Sequence, residues 1–557
     1  MEYLLGIDLG TTNCTVTAVD EYGNLKVIPN SEGGKITPSA VYFEEEENHY
    51  LVGQKAKEKA AHDPEHRLVT LVKREMGKPK DEIRYSRLKR KANPYVFWGR
   101  EFSPAEVSSK ILAQLKKDAE RELGQPVKKA IITCPAYFGQ NEKEATRKAG
   151  EYANLDVISI LPEPTAAALA YGNGVLSDSP MERIFVFDLG GGTFDVTILE
   201  IRNGDKKNIE AKRCDGNSKL GGADWDETIV NYMVKRFYTV NKVNLFYEDG
   251  PERDAVYGQL TLDAERAKKE LSNPATKTAS ITMTYGGASI TEEFTLEKYA
   301  ELTSSLNDKC RTYCTNLLDD AGLTWKDIDK VIMVGSMSNC LFLQNMLREW
   351  SGKDTNFGII DAKTCVSTGA AIMAHLLCHP DAPSAPPQQE SNGETEFFLG
   401  GDEGTVDAKI DSENLGVGVL PSSIRLSAFD RNRNPIAYRM LEKNKPYPCE
   451  FKQKFPVQSP TQTSVNVTVL EGEDNNPEYC RPIGTSKLPL AGTHGLNDLI
   501  EVSFSVDMNG ILQVYAIDLK TGQRIDVEMD RNDGFNETEE SVKKAAAASA
   551  MFDVFLG

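Results

Sequence analysis

Short bursts of alternating apolar and polar residues punctuate the chain, and two of them share one design. Phe185 to Asp188 alternates as a strand entering a turn. Gly190, Gly191 and Gly192 follow as a tight loop, and Val196 to Ile201 reads as the returning strand of a hairpin. Leu4 to Asp20 repeats the order of strand, Asp, Leu, Gly, hydroxyl residues and strand. Asp8, Gly10, Thr11 and Thr12 correspond in kind to Asp188, Gly190, Gly192 and Thr193. An internal repeat of this sort predicts two related lobes.

Between and after these hairpins the apolar period lengthens. Ser103 to Leu123 places Val107, Ile111, Leu112, Leu115 and Ala119 on one helical face, with Ser103 as N-cap, Pro104 at the first helical position and Glu106 three residues on. Lys128 to Phe138 predicts a buried strand ending at Cys134-Pro135, then a helix. Val157 to Leu161 predicts a short strand running into an alanine-rich helix, Pro162 to Gly172, with Glu163 at its entrance. Asn217 to Phe237 reads as a glycine turn and a long amphipathic helix. Leu262 to Ser272 reads as a helix, Asp329 to Trp350 as strand, glycine turn and helix, and Ser367 to Leu377 as a small-residue helix.

The pattern changes at His379 to Glu396, where proline, serine, glutamine and glycine lose all apolar periodicity and mark a linker. From about Leu415 to Met529 short alternating runs separated by turns such as Asn509-Gly510 predict an all-β sandwich. The expected division is 1–378, 379–400 as linker, 401–530 as sandwich and 531–557 as the start of one C-terminal helix.

Composition narrows the function. The 557 residues are 40% hydrophobic and carry a net charge of −19, which argues against nucleic acid or an anionic membrane as the main partner. No apolar run reaches membrane-spanning length, and the start, MEYLLGIDLG, reads as a mature cytoplasmic N-terminus. The ten cysteines are scattered without CxxC pairs, as buried thiols of a reducing compartment would be. Cys310 with Cys314, and Cys378 between His375 and His379, are the two places where a metal site is conceivable.

The glycine turns suggest the chemistry. Three glycines let backbone N–H groups approach an anion closely, and flanking acids suit a hydrated Mg²⁺ bridging phosphates. Thr193 could hold a phosphate oxygen or the attacking water. An ordinary acidic hairpin explains one such turn. Two matched copies favour lobes gripping one polyphosphate from opposite sides. Taken by itself Lys73 reads as a solvated helix lysine, Glu163 equally as an acid at a strand-to-helix corner facing a central cleft or as a first-turn acid complementing a helix dipole, and Glu265, Lys268, Lys269 and Ser272 as a solvated face.

Together IDLGTTN, CPAYF, LPEPTAAALAYG, FDLGGGTFDVTIL, LGGADWD, ERAKKELS and VDMNGILQVYAID resemble the DnaK-type chaperones of the heat-shock protein 70 family, in that family's order and over most of the chain. The resemblance implies an α/β actin-like ATPase domain of two duplicated ribonuclease-H-like lobes, followed by a β-sandwich that holds extended peptides. ATP/ADP with Mg²⁺, and K⁺ as monovalent cation, are the implied cofactors. Client peptides, a J-domain co-chaperone and a nucleotide exchange factor are the implied partners. Carried across, Asp8 and Asp195 hold the metal's hydration shell. Gly10, Thr11, Thr12, Gly190, Gly191, Gly192 and Thr193 cradle the phosphates. Lys73 stabilises the γ-phosphate and orients water, while Glu163 and Asp188 position the Mg²⁺ waters and the nucleophile. Pro135 belongs to the interdomain relay. Gly221, Gly222, Glu265, Lys268, Ser272 and Gly335 face the nucleoside, and Val465 either lines the peptide pocket or is a plain core valine.

The departures are specific. Asn339 stands where the family's adenine-stacking arginine would be, and Lys363 replaces an acid. A proline-rich tether replaces the short acidic-leucine linker, so interdomain coupling is expected to be weak or differently wired. Pro162 replaces an asparagine near the J-domain surface, and the sequence ends where a helical lid should begin. Two rival readings remain: a nucleotide-sensing scaffold with weak hydrolysis and one dedicated partner, and an actin-like small-molecule kinase.

Overall fold

The computed structural model describes residues 2–60, 67–78, 95–174, 179–202, 206–245, 251–353, 361–379, 409–410, 418–429, 434–457, 461–491, 494–495 and 498–529. The tether predicted at 379–400 and the C-terminal helix predicted at 531–557 therefore lie outside the described residues, apart from His379.

Both predicted hairpins form, and each seeds a mixed sheet of the same plan. Leu4–Asp8 pairs antiparallel with Asn13–Val19, and Asp8 lies opposite Thr15. Met181–Leu189 pairs antiparallel with Phe194–Arg202, and Asp188 lies opposite Asp195. In each sheet the return strand takes a third antiparallel strand, Leu25–Val27 in one and Lys206–Asn217 in the other. The outgoing strand takes a parallel neighbour, Lys129–Cys134 or Lys330–Val334. A parallel neighbour requires a crossover. In the first sheet the crossover includes the helix Pro104–Leu123, which starts at the predicted capping box between Ser103 and Glu106. The repeat visible in two short motifs thus extends to strand order.

Two helices pack unusually close together and hold Glu163 in place. Glu163–Gly174 and Cys365–Cys378 are rich in small residues. A Cβ added at Gly369 would lie 1.7 Å from the carbonyl oxygen of Ala166, and one at Gly6 would lie 2.1 Å from the backbone nitrogen of Ala371. Only glycine permits these approaches. The second helix therefore lies directly on the first strand and on the helix that Glu163 begins.

The later region contains two four-stranded antiparallel sheets. One orders Pro435–Leu441, Ile424–Phe429, Ser464–Glu471 and Arg481–Pro489; the other orders Cys449–Pro456, Leu499–Val506, Leu512–Asp518 and Arg524–Asp526. Alternation places Val467, Val469, Ile483, Val502, Phe504, Val514 and Ala516 inside. The predicted Asn509-Gly510 turn is present, with Gly510 at φ 72°. Val465 sits at the start of its strand, in phase with core residues Val467 and Val469 but only partly buried.

This region rests on the first half of the chain. The Gln140 amide donates to the Gly510 carbonyl at 2.7 Å and accepts from the Leu512 N–H at 2.7 Å. Arg481 pairs with Glu142 at 3.2 Å and donates to the Gly77 carbonyl at 3.0 Å. The buried Lys143 ammonium lies 4.7 Å from the centre of the Tyr447 ring. Lys409–Ile410 also adds in parallel to Lys206–Lys207 at the edge of the second sheet. A short strand lying before the sandwich strands thus docks on the first region, and it falls outside the predicted tether at 379–400.

Candidate nucleotide site

The site lies where the two glycine turns meet. In the second hairpin the Gly190 N–H donates to the Thr193 carbonyl at 3.0 Å, closing the turn. Because Asp188 and Asp195 are cross-strand partners, their carboxylates leave the sheet on the same face. A Cβ at Gly191 would stand 2.2 Å from Thr12, and one at Gly192 would stand 2.2 Å from Thr11. The helix Gly222–Asn241 begins on this turn: the Gly222 and Ala223 N–H groups donate to the Gly190 and Gly191 carbonyls at 3.0 and 2.8 Å.

Lys73 arrives from a different direction. It lies in the short 3₁₀ turn Val72–Glu75, entered through Leu71 at φ 58°, a left-handed conformation that a branched side chain adopts only under constraint. The ammonium is buried and donates to Glu163, which is also buried. The solvated lysine expected from local pattern is therefore an internal ion pair, and Glu163, which the pattern left open between facing a central cleft and complementing its helix dipole, is its partner. Arg74, which the pattern did not single out, bridges the other side. Its Nε donates to the Gly192 carbonyl at 2.7 Å, and its Nη2 meets Asp224 at 2.5 Å. Adjacency to Lys73 was the only sequence signal for it.

Electrostatics mark this end as unfinished. Burial, then the Glu163 charge, pushes the Asp8 carboxyl up to about 7. The same two causes raise Asp188 and Asp195 well above the usual carboxylate range. Burial pulls Lys73 down, but Glu163 and Asp8 outweigh it and hold the ammonium above its ordinary value. The Thr11 hydroxyl is buried without a protein partner, and the buried Asp195 carboxylate has no side-chain partner and faces only the Tyr137 backbone. Buried polar groups are normally satisfied, so these orphans call for a ligand. The donor set is all oxygen, which fits a hard cation such as Mg²⁺. Among the described residues no group of three His, Cys, Asp or Glu side chains is placed to hold a metal ion.

The residues expected at the nucleoside are paired mostly with one another. Lys268 donates to the Gly222 carbonyl at 3.0 Å and pairs with Asp226 at 2.8 Å, both side chains being buried. It is thus no solvated lysine either. Glu265 pairs with Lys269 at 2.7 Å, and the Ser272 hydroxyl donates back to the Lys268 carbonyl at 2.8 Å. A Cβ added at Gly335, which has φ 84°, would stand 2.5 Å from the Leu189 backbone and 2.6 Å from the Asp188 carboxylate. Asn339 points outward and bonds only within its own turn, to the Ser336 carbonyl at 3.4 Å.

A family model described as Hsp70 protein matches residues 4–383 and 419–553. The chain belongs to the Hsp70 family. Hsp70 proteins are, in general, ATP-dependent chaperones that bind ATP or ADP with Mg²⁺, and the orphaned acids suit that cofactor. The stretch left unmatched, 384–418, includes most of the proline-rich tether. All ten cysteines of this Hsp70-family chain are free thiols. Cys310 and Cys314 are core residues rather than metal ligands, and the His375 and His379 rings lie 5.2 Å apart in contact with each other. Among the described residues no helix is long and apolar enough to cross a membrane.

Proposed function

We propose that this Hsp70-family chain binds a Mg²⁺–nucleoside triphosphate between its two hairpin turns and hydrolyses it to control peptide binding by the β-sandwich. The supporting observation is the unpartnered Thr11 hydroxyl and the Asp195 carboxylate without a side-chain partner, buried where two matched hairpins meet. When bound, Mg²⁺ supplies neutralisation of charge on the phosphates. The protein's part is positioning. Glu163 holds Lys73 beside the γ-phosphate, and Thr11, Thr12 and Gly190 to Thr193 offer hydroxyl and backbone donors. Asp8 and Asp195 hold the cation's waters, and Asp188 and Glu163 orient the attacking water. The actin-like ATPase unit is assigned to 1–378, a linker to 379–400, the peptide-binding sandwich to 401–530 and the start of a C-terminal helix to 531–557.

The contacts of Gln140, Glu142 and Lys143 with the sandwich supply a route for coupling, because their helix begins just after the strand ending at Cys134-Pro135. Clients are extended apolar peptides, with Val465 a pocket residue at the rim. J-domain and exchange-factor partners follow from the family. A second reading, a nucleotide-sensing scaffold with weak hydrolysis, is favoured by one observation: the base end is saturated by its own side chains.

Single-turnover hydrolysis of ATP and GTP by the wild type, Thr193→Ala and Lys73→Ala separates the two. Hydrolysis that collapses in both variants supports the ATPase. Tight binding without turnover in the wild type overturns it in favour of the scaffold.

A further inference from the structure

Met337 lies in the turn between Gly335 and Asn339, and it is packed inward. It is 2% exposed. A Cβ added at Gly222 would meet its sulfur at 2.9 Å and its Cγ at 3.2 Å, and would meet the Lys268 ammonium at 3.0 Å. The Cys340 thiol lies 3.7 Å from the Met337 sulfur and is itself buried. The methionine therefore fills the space between the Gly221-Gly222 turn and the helix Pro251–Leu271, and it belongs to the same apolar cluster as Leu220, Trp225, Ala264 and Ala267. The polar groups of that helix facing the turn are engaged inside the protein, Lys268 by Asp226 and Gly222, and Ser272 by its own helix backbone.

We infer that Met337 plugs the base end of the cleft, so that the site selects its ligand by the polyphosphate chain and discriminates little between bases. This rests on the nucleotide site proposed above. A base entering between turn and helix would displace a thioether from a packed core and would find no unengaged polar partner among Lys268 and Ser272. Binding energy would come almost wholly from the phosphate end, where Asp195 and Thr11 lack side-chain partners. A methionine is flexible enough to be displaced at a cost, which predicts weak rather than absent nucleoside binding.

The test is calorimetric binding of Mg²⁺-ATP, Mg²⁺-GTP and Mg²⁺-tripolyphosphate to the full chain, wild type beside Met337→Ser and Met337→Leu. The inference expects wild-type affinities for all three ligands within about threefold of one another. It expects Met337→Ser to gain about tenfold for ATP with no gain for tripolyphosphate, and Met337→Leu to keep the wild-type pattern. A wild type that binds ATP more than about tenfold tighter than tripolyphosphate overturns the plug while leaving the phosphate site standing. A wild type that binds none of the three overturns both. If Met337→Ser unfolds, the wild-type ratio of ATP to tripolyphosphate still decides.

Discussion

The two ends of the cleft are built from similar residues and are in opposite states. At the phosphate end, acids crowd around one lysine and several buried oxygens have no side-chain partner. At the base end, lysine and aspartate are matched, a hydroxyl is back-bonded and a methionine occupies the gap. A buried polar group without a partner is an exception that calls for an explanation, and a ligand is one. The balance of charge separates the two groups: several acids crowd around Lys73, whereas Lys268 is matched by Asp226.

Mutations should break that comparison in opposite directions. The largest effect is expected on chemistry. Lys73→Ala leaves Glu163 buried and unpaired and removes the cation at the γ-phosphate, and single-turnover hydrolysis should fall by about 100-fold or more. At the base end Lys268→Ala should cost stability instead. It strands Asp226 in the interior, and chemical denaturation should show a loss of about 3–5 kcal/mol. Asp195→Asn at the phosphate end should do the reverse. Removing a buried acid whose ionisation burial opposes should leave the ligand-free protein at least as stable, while abolishing the rise in melting temperature caused by Mg²⁺-ATP. A destabilised Asp195→Asn protein would show that its carboxylate is not an orphan.

The smallest effect concerns the contact between the regions. Burial, then the Glu142 charge, pushes the Glu471 carboxyl from 4.5 up to about 7, against the pull of Arg481 and Lys143. Its oxygens lie 2.8 Å from where a Cβ on Gly139 would stand. A carboxyl raised in the docked state keeps its proton there. Docking is therefore fully supported below about pH 4.5, weakens as pH rises toward 7 and changes little above it. Limited proteolysis of the segment between the regions should accelerate across that window, and Glu471→Gln should flatten the profile.

Much of this was legible in the residues. Period-two alternation and glycine turns carry the hairpins, and a capping box carries the start of the helix Pro104–Leu123, because these features are local. The matched motifs at Asp8 and Asp188 also announced the duplicated sheets. Lys73 and Lys268 were misread from local pattern, and Glu163 was left open, because burial is not local: a lysine on a short turn looks solvated until a distant glutamate covers it. Arg74 and Met337 carried no motif at all.

The sequence by itself determined the strands, the turns, the cap and the family, since each depends on neighbours along the chain or on a contiguous motif. Only the tertiary structure decided which charges are paired, where Met337 lies and how the sandwich meets the helix Gln140–Tyr152. Those outcomes depend on which segments, tens to hundreds of residues apart, come into van der Waals contact. The free energy of a buried charge or a filled gap is set by that contact and not by the residue that carries it.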